Sequence, residues 1–192
     1  MTTELLKRGI DALVKRHQSD PNKESINGID YPAELLYAQR MADALAKYVP
    51  DASKPLQLAA WSHHIMRWEV ARSLYPMGKS GYYQWRQHVL KHQLKVTKDV
   101  LTEVGISSAE VDLVTTYMQK DNRRTCTEAQ TVEDIACVVF VVYYLEAFAQ
   151  KHSEEKVIDI IRKTMLKVSE KGKVYLSKLA LNSSLNALLA KA

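Results

Sequence analysis

The stretch "VEDIACVVFVVYYLEAF", residues 132–148, decides the fold class. Its centre, "VVFVV" at 138–142, is β-branched and by propensity alone suits a buried strand. Length and flanks point the other way. The apolar pattern runs too far for one strand, and "EAQTVED" just upstream supplies acidic residues where a helix N-terminus favours negative charge. The stretch therefore reads as a helix buried on most sides, with Thr127 as its expected cap.

Outward from it, apolar residues recur at three- and four-residue spacing through most of the chain, so an all-α fold is expected. Glycines and prolines are few, and the prolines fall at segment edges, which favours long helices. A first helix is expected over about 2–18, then a loop, "SDPNKESINGID". Asp30 is the expected N-cap and Pro32 a first-turn residue of a helix to about Tyr48. Ser53 is expected to cap a helix that carries the pair His63–His64 and ends near Glu69. Ser80 or Gly81 opens a long helix to about Val104. Ser107 or Ser108 starts a shorter one to about Lys120. Ser153 begins a helix to about Val168, and "SEKGK" precedes a last one. Residues 1–192 read as one helical domain, with no internal repeat, low-complexity segment or linker.

The formal net charge is +5, concentrated in "QKDNRR" at 119–124 and in the Lys-rich C-terminal third. That balance suits a small phosphate- or carboxylate-bearing partner. Nucleic acid is not expected, because no recognised binding motif accompanies the charge. Cys126 and Cys137 show neither a metal spacing nor a disulfide framework, so a reducing compartment is the default. "MTTELLKRGIDALVKRH" is amphipathic with acidic residues and reads as a helix, not a targeting segment. The longest uncharged apolar run, 135–145, is too short to span a bilayer, and a cytoplasmic location is expected.

Chemistry-bearing residues cluster in "AAWSHHIMRW", 59–68, where two adjacent histidines interrupt an apolar segment. His63, His64 and Asp134 form one candidate donor set for a divalent transition metal such as Zn²⁺, Fe²⁺ or Ni²⁺. Without metal, His64 would hydrogen-bond a carboxylate such as Asp134. In "RWEVARSLYPMGKSGYYQWRQH", 67–88, Arg67, Arg72 and Arg86 alternate with Trp68, Tyr82 and other aromatics. Guanidinium groups fork onto phosphate or carboxylate, so these are candidate ligand-binding residues, and Lys120 is placed to join them. The alternative is a set of ion pairs with Glu34, Glu69, Glu133 or Asp134. Glu133, Asp134 and Glu34, near the starts of apolar helices, are the candidate acid–base carboxylates beside His64.

Two resemblances follow from these segments. "YAQRMADALAKYV", "LQLAAWSHHI" and "VEDIACVVFVVYYLEAF" together resemble the layout of the HD superfamily of metal-dependent phosphohydrolases. Laid on that pattern, the first His position falls on Tyr37, its accompanying Arg on Arg40, the His–Asp pair on His63–His64 and the last Asp on Asp134. The resemblance implies an HD-like helical bundle and a metal-assisted hydrolase, although Tyr37 and His64 depart from the usual ligands. The second resemblance spans most of the chain. "DPN…YPAELLYAQRM", "HHIMRWEVARSLYPMGKSGYYQWR", "AQTVEDIACVVF" and "EEKVIDIIRKTMLKVSEKG" together look like a widespread family catalogued as a domain of unknown function. Some of its members are labelled glutamyl-tRNA synthetase-like. In that family the positions of His64, Arg67 and Trp68 recur, the His63 position is commonly Gln, and a Pro usually stands where this chain has Ala71.

Synthetase catalysis is not expected, because "KVSEK" at 167–171 and "HHIMRW" lack the strand–helix alternation such motifs need. Three functions remain in view: a hydrolase acting on a small phosphorylated or nucleotide-like compound, a non-catalytic anion-binding module, and a helical interaction protein assembling as a homodimer.

Overall fold

The computed structural model describes residues 2–191, and within them the chain is all-α apart from one small hairpin. The helices are α1 (Thr2–His17), α2 (Ala33–Tyr48), α3 (Lys54–Ser62), α4 (Lys79–Glu103), α5 (Ser108–Met118), α6 (Thr127–Val139), α7 (Leu145–Ala149), α8 (Glu154–Met165), α9 (Glu170–Ser177) and α10 (Ser183–Ala190). No described helix is long and apolar enough to cross a membrane.

The β-branched stretch is helical, and its sides explain why. Val132, Ile135 and Val139 face a core built with α1–α5, including Leu13, Met41, Leu58 and Val114. Cys137, Val138, Val141 and Leu145 face a second core made with α8, α9 and α10. A helix wedged between two cores needs apolar side chains almost all round, which is why its pattern resembles a strand. Phe140–Tyr144 forms a π-turn joining α6 to α7, and π-turns concentrate at functional positions.

Caps are set mostly by small polar residues. The hydroxyls of Ser53, Ser107 and Ser169 and the side chain of Asn182 each accept a backbone N–H of their helices. Several expected boundaries are corrected. Cys126, not Thr127, occupies the N-cap of α6, and α4 starts at Lys79 behind Gly78, whose φ of 90° requires glycine. "SEKGK" belongs to α9 itself, and α10 follows.

The expected loop 19–30 is partly a hairpin, β1 (Lys23–Ile26) against β2 (Ile29–Pro32), antiparallel with Ile26 opposite Ile29. Asn27 (φ 51°) and Gly28 (φ 79°) make the left-handed two-residue turn that Asn-Gly favours. Asp30 is therefore a strand residue. The cap of α2 comes from Asp20, nearly fully buried, whose Oδ2 accepts the Glu34 N–H at 2.8 Å. A side chain from outside the helix does the work of a local cap.

Candidate functional site

The helix expected to carry both histidines ends before them. α3 stops at Ser62; His63 takes an extended conformation, and His64 (φ 64°) and Met66 (φ 45°) are left-handed. The chain then tightens into a 3₁₀ turn at Arg67–Glu69. Two left-handed non-glycine residues within three positions are costly and persist only where the surroundings enforce them. The enforcement is visible: buried His17 on α1 places its Nε2 2.9 Å from the Trp61 carbonyl at the end of α3.

That turn swings both imidazoles onto α2. Tyr37 stacks on His64 with ring centroids 4.2 Å apart, and His64 stacks on His63 at 4.5 Å. His64 Nδ1 lies 3.1 Å from Glu34 Oε2. His64 thus meets Glu34, not Asp134.

Burial pushes the Glu34 carboxyl up to about 7; Asp20 adds to the rise while Arg67 and His17 oppose it. Burial, with the charges of Arg67, Lys120 and Arg86, holds His64 well below its ordinary range. His63 is lowered in the same way, with His64 among the causes. Near neutral pH the pair therefore holds a neutral imidazole beside a carboxyl close to half-protonation. Ionised, Glu34 accepts a hydrogen bond from Nδ1–H; protonated, it donates one to an unprotonated Nδ1. Such a pair can accept or deliver a proton at neutral pH. Burial pushes the Tyr37 phenol far up, so it serves as a neutral wall.

Three cations act on these rings: Arg67, Arg86 and Lys120. Arg67 lies over the Trp85 ring, 5.0 Å from its centroid. Among the described residues neither Arg67 nor Arg86 forms an ion pair, so the expected pairing with Glu34, Glu69, Glu133 or Asp134 is absent for these two. Lys120 does pair, 3.1 Å from buried Glu133. Replacing Lys120 with Met leaves that carboxylate without its cation. A loss of about 2 kcal/mol of stability is expected in urea melts, below a fully buried pair because Lys120 is partly solvated. Recovery of that loss in the double variant Lys120→Met/Glu133→Gln checks the pairing.

Other expected site residues are committed elsewhere. Asp134 accepts hydrogen bonds from Tyr48 (2.9 Å), Gln130 (2.8 Å) and the Ser169 backbone (2.8 Å), and from the Ser169 hydroxyl. It anchors α9, and "KVSEK" is that anchor's receiving loop. The donor set His63, His64 and Asp134 is therefore corrected: the rings are stacked face to face and the carboxylate is engaged by α9. Among the described residues no group of three or more His, Cys, Asp or Glu side chains could hold a metal ion, so this set does not fit the ion that the HD layout implies.

Arg40 donates from Nη1 to Glu24 and to the Tyr144 hydroxyl, both at 2.7 Å, between the Tyr143 and Tyr144 rings that the π-turn presents. Arg72 ties its own loop, donating to the carbonyls of Tyr75 (2.9 Å) and Pro76 (3.0 Å). Ala71 keeps φ at −63°, the value a proline would impose there. Trp68 is half-buried and makes no hydrogen bond among the described residues.

A family model described as Domain of unknown function (DUF4202) matches residues 7–189. The chain belongs to that family. The match spans the whole site, from His17 on α1 through the histidine turn to Arg86 and Lys120, and continues past Asp134 and α9. No curated protein and no solved structure matches the chain.

Within this DUF4202 chain the residues that sequence reasoning passed over are His17, Asp20 and Glu24. His17 ends α1 and stands in no motif, and Asp20 opens the family segment "DPN" without a role being assigned to it. Only their burial, with 0% and 1% exposure, marks them as parts of the site's frame.

Proposed function

We propose that the chain binds a small phosphate- or carboxylate-bearing compound at the histidine turn. The observation that carries this reading is the pair Arg67 and Arg86, which carry no carboxylate partner among the described residues and act on two neutral imidazoles. Unpaired guanidinium groups beside a half-buried polar wall form a ready receptor for an oxyanion. Lys120 is largely offset by Glu133 and the half-ionised Glu34 offsets only part of Arg67, so the surplus stays positive, which suits an oxyanion.

Titration calorimetry with inorganic phosphate and simple phosphate esters tests the reading. Arg67→Ala and Arg86→Ala are each expected to weaken binding at least about tenfold, the worth of one charge-assisted hydrogen bond. Affinity unaltered by both changes refutes the site.

A second reading, hydrolytic turnover of the bound phosphate compound, is favoured by the Glu34–His64 pair. Of the three candidate carboxylates Glu34, Glu133 and Asp134, it is Glu34 that would take the proton of the attacking water. A phosphate-ester panel assayed with wild type and Glu34→Gln separates the two readings. Turnover that disappears in a variant still binding phosphate supports catalysis, and no turnover in wild type leaves the binding module.

A further inference from the structure

Arg86 does not stand alone on its helix face. Tyr82 lies one turn before it on α4, so the two side chains project from the same side, about 6 Å apart along the axis. Tyr82 is 44% exposed, while Trp85 beside it is 8% exposed and already carries Arg67 on its ring. The Tyr82 ring leans on Trp85, with centroids 5.8 Å apart and planes at 47°. One ring is thus occupied and the other is presented to solvent next to an unpaired guanidinium.

The platform is held in place. Gly81 packs against Pro76 so closely that a Cβ at this position would meet the Pro76 carbonyl oxygen at 1.9 Å. Trp85 Nε1 donates to the Val70 carbonyl at 2.8 Å, and Arg72 clamps the same loop from within. Leu74, Met77 and Tyr83 are exposed around this rim, giving an apolar border to a charged site. Exposed aromatic rings at fixed positions beside unpaired cations suit a ligand with a flat apolar part and an anionic end.

We propose that the ligand is a phosphate monoester bearing an aromatic ring, with its phosphate on Arg67 and Arg86 and its ring stacked on Tyr82. The assignment rests on the anion-binding reading of the same site and narrows it to one substrate class. An aryl phosphate and a nucleoside monophosphate share this chemistry. They differ in reach: the aryl ring sits one ester bond from phosphorus and the base lies a full sugar further away.

The test compares paired probes by calorimetry: methyl phosphate with phenyl phosphate, and ribose 5-phosphate with adenosine 5′-monophosphate. Wild type is expected to bind at least one aromatic partner about tenfold more tightly than its non-aromatic counterpart, the scale of one ring stack. Tyr82→Ala should erase that preference, and Tyr82→Phe should keep it. Which pair shows the preference tells aryl from nucleoside ligands. Equal affinity within both pairs, or a preference that survives Tyr82→Ala, overturns the assignment. Phosphate affinity indifferent to both Arg67→Ala and Arg86→Ala instead refutes the anion site itself, a separate result.

Discussion

Asp134→Ala is expected to cost about 3–4 kcal/mol of folding stability, the largest loss anticipated for any single change here. The carboxylate is 2% exposed and accepts from Tyr48, Gln130 and both the backbone and hydroxyl of Ser169. Alanine strands the Tyr48 hydroxyl and both Ser169 donors, while Gln130 keeps the Lys167 carbonyl at 2.8 Å, and α9 loses the contact that seats its N-terminus. Gly172, in the first turn of α9, lets the helix approach: a Cβ there would stand 2.9 Å from Asp134 Cγ. Asp134→Asn keeps one acceptor and is expected to cost roughly half as much. Urea unfolding at neutral pH measures both. Phosphate affinity of the folded variants should match wild type, because Asp134 serves α9 and not the histidine turn. A folded Asp134→Ala protein that no longer binds phosphate would show the two regions to be one site.

The second large effect depends on pH. The Glu34 carboxyl titrates at about 7 in the folded chain against an ordinary value of 4.5. Between those values the folded state binds more protons than the unfolded state, so this group's contribution to stability falls as pH rises and is fully lost above about 7. His17, His63 and His64 run oppositely. Each is held below 6.5, so stability falls as pH drops through 6.5 and the unfolded chain takes up protons that the folded one resists. Glu34→Gln removes only the first limb. The variant should be more stable than wild type by about 2–3 kcal/mol at pH 8 and equal to it near pH 4, as the shift in proton affinity requires. Denaturation curves across that range provide the measurement. A difference that stays constant with pH would contradict the buried proton pair. The charged and titratable groups facing Glu34 (Asp20, His17, His64 and Arg67) all remain in the variant. A carboxyl kept at a cost to stability is the kind of group that active and binding sites retain.

The helices were legible because their cause is local. Three- and four-residue spacing, serines ahead of apolar runs and glycines behind them are properties of short windows, and Ser53, Ser107 and Gly105 act as those windows imply. The β-branched run 138–142 was readable from its length and flanks, though the reason for its composition, a helix packed between two cores, is tertiary. The hairpin had a readable turn in Asn27–Gly28, but its strands are short and half polar, so no alternation announced them.

The candidate site was legible in its parts and not in its pairings. His64, Arg67, Arg86, Lys120 and Glu34 stand out in the sequence by type and context. That His64 meets Glu34, and that Asp134 is spent on α9, depends on packing between elements far apart in the chain. An apolar pattern extends α3 past the histidines, because periodicity cannot register that His17 meets the Trp61 carbonyl. The sequence by itself determined the all-α class, most helix boundaries and the store of cations and imidazoles. The tertiary structure alone decided which carboxylate each of them faces. Helix formation is governed by neighbours within about one turn, whereas the partner of a buried charge is chosen by whichever distant surface excludes water from it.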